Sequence, residues 1–147
     1  MRVVLAVLTV LFGLTVNGQD KAKETKRYGI ALDTKAYPQA TAKEALASVI
    51  KATEAQRIDY LVAHLADPAF VDDRVKRLYG GRFEQQVEDT RDRLDPATVK
   101  LLGRFLKEGT WDETDSQASA GLKDLPERRL HFRKRDGRWF LEHRHKP

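Results

Sequence analysis

Apolar residues recur every three or four positions between residues 41 and 109, which is the spacing of amphipathic helices. Thr41 followed three residues later by Glu44 forms a capping box and predicts a helix start. The segment after this start is divided into further helices by breaks near Gln56 and at Asp67-Pro68, Gly80-Gly81 and Asp95-Pro96. The predicted apolar positions are Ala45, Leu46, Val49, Ile50, Ile58, Leu61, Val62, Leu65, Val71, Val75, Leu78, Phe83, Val87, Leu94, Val99, Leu102, Phe105 and Leu106.

From Thr110 the pattern changes to short alternating runs, which predict strands. Residues 110–113 and 117–122 form two of them around a turn at 114–116, and a link at 123–126 leads to the last hairpin. Helices first and a strand meander last indicate an α+β fold, with the N-terminal helices packed on a C-terminal antiparallel sheet.

The last hairpin turns at Asp136-Gly137, a dipeptide that tolerates the positive φ angles of a two-residue turn. This turn pairs Arg135 with Arg138, Lys134 with Trp139 and Phe132 with Leu141. One face then carries Leu130, Phe132, Trp139 and Leu141, with Lys134 over the indole and His143 near the far end. The opposite face carries His131, Arg133, Arg135, Arg138, Phe140, Glu142 and Arg144.

The N-terminal segment has a basic start, a short apolar run and small residues before Gln19, which is typical of a secretory signal peptide. We therefore expect cleavage near Gly18-Gln19 and an exported protein, periplasmic or secreted; an uncleaved anchor is the alternative. Residues 19–40 are expected to be a disordered or extended leader, and residues 41–147 a single α+β domain.

Charge is concentrated at the C-terminal end. The chain carries a formal charge of +5, and residues 128–147 contain eight Lys or Arg against two Asp or Glu. An anionic partner is therefore plausible for the hairpin's basic face, and a solvated sheet surface is the simpler alternative. Lipid headgroups, another anionic envelope component or an acidic protein suit an exported chain better than nucleic acid. The chain has no cysteine, which excludes disulfides and thiol chemistry.

The order of elements resembles the NTF2-like (cystatin-like) α+β superfamily. The likeness is strongest over residues 41–66 and 110–144 and includes Phe132, Lys134, Asp136, Gly137, Trp139 and Leu141. It implies a curved sheet wrapped around helices, sometimes enclosing a conical cavity, in members that range from ligand binders to isomerases and dehydratases. Residues 70–106 depart from that pattern, because they read as helices where the family often has strands.

Few side chains are candidates for catalysis or metal binding. At about 100° per residue, Asp59, Tyr60 and His64 point away from the apolar stripe of their helix, so we predict a solvated face. His143 and His145 have a spacing seen in metal sites, but no third ligand is evident. Trp111 and Trp139 are expected in the core or a cavity wall, and we expect the interior to be filled by Leu, Phe and Trp side chains.

These observations favour a non-catalytic, exported domain that binds a ligand or partner and needs no cofactor or metal. The predicted partner-binding residues are His131, Arg133, Arg135, Arg138, Phe140 and Arg144. The alternatives are a small cavity enzyme of isomerase or hydratase type, which the resemblance implies, and a structural envelope protein that forms homo-oligomers through its sheet.

Overall fold

The computed structural model describes residues 25–144 and confirms the α+β class. The helices are α1 (Ala42–Glu54), α2 (Ile58–Tyr60) continuing into a π-helix (Leu61–Leu65), α3 (Pro68–Arg77), α4 (Phe83–Arg93) and α5 (Pro96–Glu108). The strands are β1 (Lys26–Arg27), β2 (Ile30–Ala31), β3 (Thr110–Glu113), β4 (Gln117–Leu122), β5 (Leu125–Arg135) and β6 (Arg138–Glu142). The signal-peptide and cleavage predictions lie outside the described residues.

Helix α1 begins at the predicted capping box. The Thr41 hydroxyl accepts a hydrogen bond from the Glu44 amide at 3.1 Å, and the Glu44 carboxylate accepts one from the Ala40 amide at 2.8 Å. The first bond satisfies an amide of the first helical turn, and the second ties Glu44 to the residue that precedes the cap. The helix ends at Glu54, and Gln56 follows with a positive φ of 57° at the predicted break.

Strands β3 to β6 form one antiparallel sheet in sequence order, and the hairpin register is confirmed. Arg135 pairs with Arg138, Lys134 with Trp139 and Phe132 with Leu141. Asp136 and Gly137 have φ angles of 49° and 75°, as a two-residue turn requires. The Lys134 ammonium lies 6.0 Å from the centre of the Trp139 ring, on the face predicted for it.

One face of the sheet packs on the helices. Its buried members are Ala118, Ala120, Leu122, Phe132 and Trp139. Trp111 is only partly buried and its ring tilts against Phe132 at a centroid distance of 5.6 Å. Both tryptophans therefore belong to the core or its margin, as predicted. Leu78, expected in the apolar stripe of α3, is 61% exposed because α3 ends one residue earlier.

The outer edge of β6 is covered by two loops. The Trp139 amide donates to the Gln39 carbonyl at 3.0 Å, and the Gln39 side chain donates to the Trp139 carbonyl at 2.8 Å. Farther along the edge, the Asp67 amide donates to the Leu141 carbonyl at 2.9 Å. An unpaired strand edge is a template for aggregation, so these bonds protect β6 and anchor both loops to the sheet.

The prediction for two helical side chains is wrong. Tyr60 and His64 are 1% and 0% exposed, whereas Asp59 is partly exposed as predicted and pairs with Arg57. Two physical causes explain the error. The π-helix shifts the angular positions after Tyr60, as its i→i+5 bond from the Ala66 amide to the Leu61 carbonyl shows. In addition, the segment before α1 covers the face that the periodicity assigned to solvent.

That covering segment is the described part of the expected leader, residues 25–40, and it contains a short hairpin followed by a turn at residues 34–36. Strands β1 and β2 form a small hairpin over the helices. Arg27 forms an ion pair with Asp72, and the Tyr28 ring stacks on Phe83 at 4.2 Å. Burial and the hydrogen bond to Asp72 raise the pKa of the Tyr28 phenol to about 12. The segment is therefore fixed to α3 and α4 by specific contacts.

Candidate functional site

A partly enclosed cavity of about 390 Å³ lies between helices α3, α4 and α5 and the end of the sheet at which β6 stops. Its apolar lining comes from every layer of the fold and consists of Val49, Leu61, Val62, Ala66, Phe70, Val71, Leu94, Leu102, Leu130 and Leu141. The expectation of a filled interior is wrong at this end of the sheet. A volume of this size falls in the range of small-molecule sites, which is roughly 300–1,000 Å³.

Side chains from α3 and α4 form a polar wall of the cavity. Arg74 donates to Gln86 at 3.0 Å and to Asp89 at 3.2 Å, and the Asp89 carboxylate also pairs with Arg93 at 3.1 Å. The Gln86 amide donates to the Thr90 hydroxyl at 3.0 Å. This wall therefore contains two guanidinium groups that share one carboxylate, beside two neutral polar side chains.

The Arg74 side chain is only 14% exposed, because it lies against aromatic rings. Its guanidinium carbon lies 5.5 Å from the centre of the Phe70 ring, and Phe70 in turn stacks on His143 at 4.8 Å. Tyr79 accepts a further hydrogen bond from Arg74 at 3.2 Å. These contacts hold the guanidinium in one place and exclude water from much of its surface, which strengthens its interaction with an anion.

The opposite wall is formed by the ends of β5 and β6. Glu142 accepts from Arg133 at 3.0 Å and pairs with Arg144 at 3.1 Å, so this carboxylate also lies between two guanidinium groups. His131 stands across from Glu142 in the register. Burial lowers the pKa of the His131 imidazole and the Arg144 charge lowers it further, while the Glu142 charge opposes the shift. His131 is therefore neutral at pH 7.

Of the six residues predicted on the basic face, the structure brings only His131 and Arg144 to the cavity. Phe140 is 2% exposed, and the Arg138 guanidinium lies over its ring at 4.9 Å. Arg138 also donates to Gln39 at 3.2 Å, and Arg135 pairs with Asp67 at 2.9 Å. Partners within the chain thus occupy part of the donor capacity of this face. Binding of an anionic partner there stays a prediction.

Within residues 25–144 no cluster of three or more His, Asp or Glu side chains is arranged to hold a metal ion. His145 lies outside the described residues, so the spacing of His143 and His145 is not tested by the structure. The buried His64 makes a 2.7 Å contact from Nε2 to the Ile30 carbonyl, and burial lowers its pKa. His64 does not line the cavity.

Sequence reasoning missed the polar wall, although one signal for it was present. Helix α4 and the residue after it carry a stripe at positions 83, 86, 87, 90 and 94, the spacing of a core-facing surface. Two of its members, Gln86 and Thr90, are polar, and Gln86 is only 6% exposed. An otherwise apolar stripe with polar members indicates a helix that faces a polar cavity instead of a filled core.

A second, more open groove of about 780 Å³ runs between α1 and α5. Its apolar members include Ile50, Val99 and Leu106, and Lys100 and Lys107 stand at its sides. The groove is more open than the cavity, and the carboxylates of its charge cluster, in which Arg104 pairs with Glu108 and Asp124, are exposed to solvent. The cavity is therefore the stronger candidate for a specific site.

Comparisons with protein-family models, with curated proteins and with solved structures find no match for this chain. The resemblance to the NTF2-like superfamily accordingly stays a prediction. Between Thr25 and Arg144, no helix has the length and hydrophobicity needed to cross a bilayer.

Proposed function

We propose that the protein is an exported, non-catalytic binding domain that takes a small apolar molecule into the cavity between the helices and the sheet. The observation that carries the proposal is the cavity itself, with about 390 Å³ of space and a mainly aliphatic apolar lining from both the helices and the sheet. A cavity of about 150 Å³ holds benzene, so this space has room for an aliphatic chain of roughly ten carbons.

The energetics of the cavity support occupancy. The cavity is partly open and has a polar wall, so water reaches its aliphatic lining. A ligand that displaces this water from the aliphatic lining gains the hydrophobic free energy that the fold leaves unused.

Binding without chemistry is favoured because the acidic groups of the cavity are engaged. Asp89 and Glu142 each accept hydrogen bonds from two arginines, which occupy the carboxylate oxygens. Both carboxylates are therefore held by side chains of the chain itself.

The alternative is a small cavity enzyme of isomerase or hydratase type, with neutral His131 as its candidate base. NMR of a cavity-bound alkyl ketone in D₂O tests it, since a base that removes a proton next to the carbonyl exchanges that proton for deuterium. We expect no exchange beyond the buffer rate. Exchange that His131→Gln abolishes would establish the enzyme instead.

Isothermal titration of the full chain with straight-chain alcohols from hexanol to decanol tests the binding proposal. Each methylene buried in the cavity contributes about 0.8 kcal/mol, so affinity is expected to rise about fourfold per carbon until the cavity is full. Absence of binding, or an affinity that does not change with chain length, would refute the proposal.

A further inference from the structure

The charges around the cavity are unbalanced toward the positive. Four arginines line it, Arg74, Arg93, Arg129 and Arg144, and the carboxylates among its lining residues are Asp89 and Glu142, while Asp112 outside the lining pairs with Arg129 at 2.7 Å. On the α3–α4 wall, the Asp89 carboxylate pairs with Arg74 at 3.2 Å and with Arg93 at 3.1 Å. The other side chains to which Arg74 donates there, Gln86 and Tyr79, are neutral. The cluster of Arg74, Asp89 and Arg93, called the arginine clamp below, therefore has a net charge of +1.

The clamp also has unused hydrogen-bond donors. Arginine has five N–H groups. Those on Nε and Nη2 of Arg74 serve Gln86, Tyr79 and Asp89, and no hydrogen bond between described residues uses its Nη1. Arg93 donates through Nη2 to Asp89 and is 61% exposed, so its other nitrogens face solvent or the cavity mouth.

A partly buried cation with unused donors is best matched by an anion. Arg74 sits in a region of reduced dielectric constant, where an uncompensated charge costs more than in water and a charge-assisted hydrogen bond is stronger. The planar fork of a guanidinium fits a carboxylate in a bidentate arrangement. One carboxylate would bring the charge of the clamp to zero.

We propose that the ligand is an amphiphilic carboxylate, which places its alkyl body among the aliphatic residues of the cavity and its head on Arg74 and Arg93 beside Asp89. The proposal rests on the proposed function, because the alkyl body occupies the same cavity. It adds the chemical class of the ligand and the residues that select it. No covalent step is involved, and the aliphatic lining makes the same contacts with a neutral ligand of equal length.

Three probes of equal chain length, namely decanoate, decanol and decylammonium, separate this inference from the proposed function. They are titrated calorimetrically into the full chain at pH 7.5, below the concentration at which they aggregate. We expect decanoate to bind about tenfold more tightly than decanol, and decylammonium more weakly than both, because a charge-assisted hydrogen bond contributes about that factor.

The chain offers a matched control for the clamp. Arg93→Gln and Arg91→Gln each remove one positive charge from α4, and both side chains are mainly or partly exposed and paired with an acidic residue. Arg91 pairs with Glu88 and does not line the cavity. We expect Arg93→Gln to lower the affinity for decanoate about five- to tenfold more than the affinity for decanol, while Arg91→Gln changes neither.

The outcomes of these titrations distinguish failure of the carboxylate inference from failure of the binding function. Equal binding of decanoate and decanol, or equal effects of the two arginine substitutions, would overturn the carboxylate inference while the binding function stands. Binding of none of the three probes would refute the binding function and the inference with it. A native circular-dichroism spectrum and a cooperative urea transition of Arg93→Gln show that this variant is folded, so its selective loss of decanoate affinity is attributable to the clamp.

Discussion

Filling the cavity with a protein side chain is expected to stabilise the fold and to weaken ligand binding. Ala66 is suited to this change because it lines the cavity and has an extended backbone, with φ −80° and ψ 154°. Ala66→Leu adds three carbon atoms at a position where a branched aliphatic side chain meets no helical constraint. The perturbation therefore acts mainly on the empty space.

The magnitude follows from the area that the new side chain removes from water. Three methylene equivalents at about 0.8 kcal/mol each give an upper limit of about 2.4 kcal/mol for complete burial. The cavity is only partly enclosed, so we expect the free energy of unfolding to rise by about 1 kcal/mol. The same carbons displace part of the alkyl chain, so we expect decanol affinity to fall about tenfold.

Urea denaturation measures the first quantity and calorimetric titration the second. The comparison is valid if the denaturant slope does not change, since the slope reports the surface exposed on unfolding. Ala47→Leu is the control, because Ala47 is exposed on α1 and does not line the cavity. This control should change stability by less than about 0.5 kcal/mol and leave affinity unchanged. A destabilised Ala66→Leu protein with undiminished affinity would refute the reasoning.

Further predictions concern stability. Because burial lowers the pKa of His64 below its ordinary 6.5, the unfolded chain binds more protons than the folded one below that pH. Urea titrations should show stability falling as pH drops from 6.5, by at most about 1.4 kcal/mol per pH unit, and a shallower fall in His64→Gln. Gly109→Ala should destabilise by about 2 kcal/mol, because its Cβ would lie 2.2 Å from the Phe105 carbonyl oxygen. Gly103→Ala, which meets no atom within 4 Å, should stabilise α5 by up to about 1 kcal/mol. Asp67→Asn should cost about 1–2 kcal/mol through its Arg135 pair, against under about 0.5 kcal/mol for the exposed Asp73→Asn.

Three of these stability predictions have a clear contradicting outcome. Equal pH profiles for the wild-type and His64→Gln proteins would mean that another group governs the loss between pH 6.5 and 5. A stable Gly109→Ala protein would mean that the end of α5 relaxes easily. Equal effects of Asp67→Asn and Asp73→Asn would mean that burial of the first carboxylate adds nothing to its ion pair.

Local rules predicted those parts of the fold that depend on neighbours in sequence. The hairpin register followed from the conformational demands of Asp136-Gly137, and the start of α1 followed from Thr41 and Glu44. The strands β3 and β4 followed from alternation alone. In each case the interactions that decide the structure span only a few residues, so their pattern is visible in the sequence.

The errors arose where distant segments meet. Tyr60 and His64 are buried because residues 25–40 cover them and because the helix widens into a π-helix, and neither feature follows from a 3.6-residue period. The cavity results from the distance between α4 and the sheet, which depends on packing between elements. In the sequence, only Gln86 and Thr90 in the stripe of α4 indicated its polar wall.

Intermolecular NMR contacts in the complex with decanoate test the central claim most directly. The account predicts nuclear Overhauser effects between the alkyl protons of the ligand and the methyl groups of Val71, Leu102 and Leu130, which line the cavity. Contacts instead with Ile50, Val99 and Leu106 would place the ligand in the groove between α1 and α5 and would contradict the account.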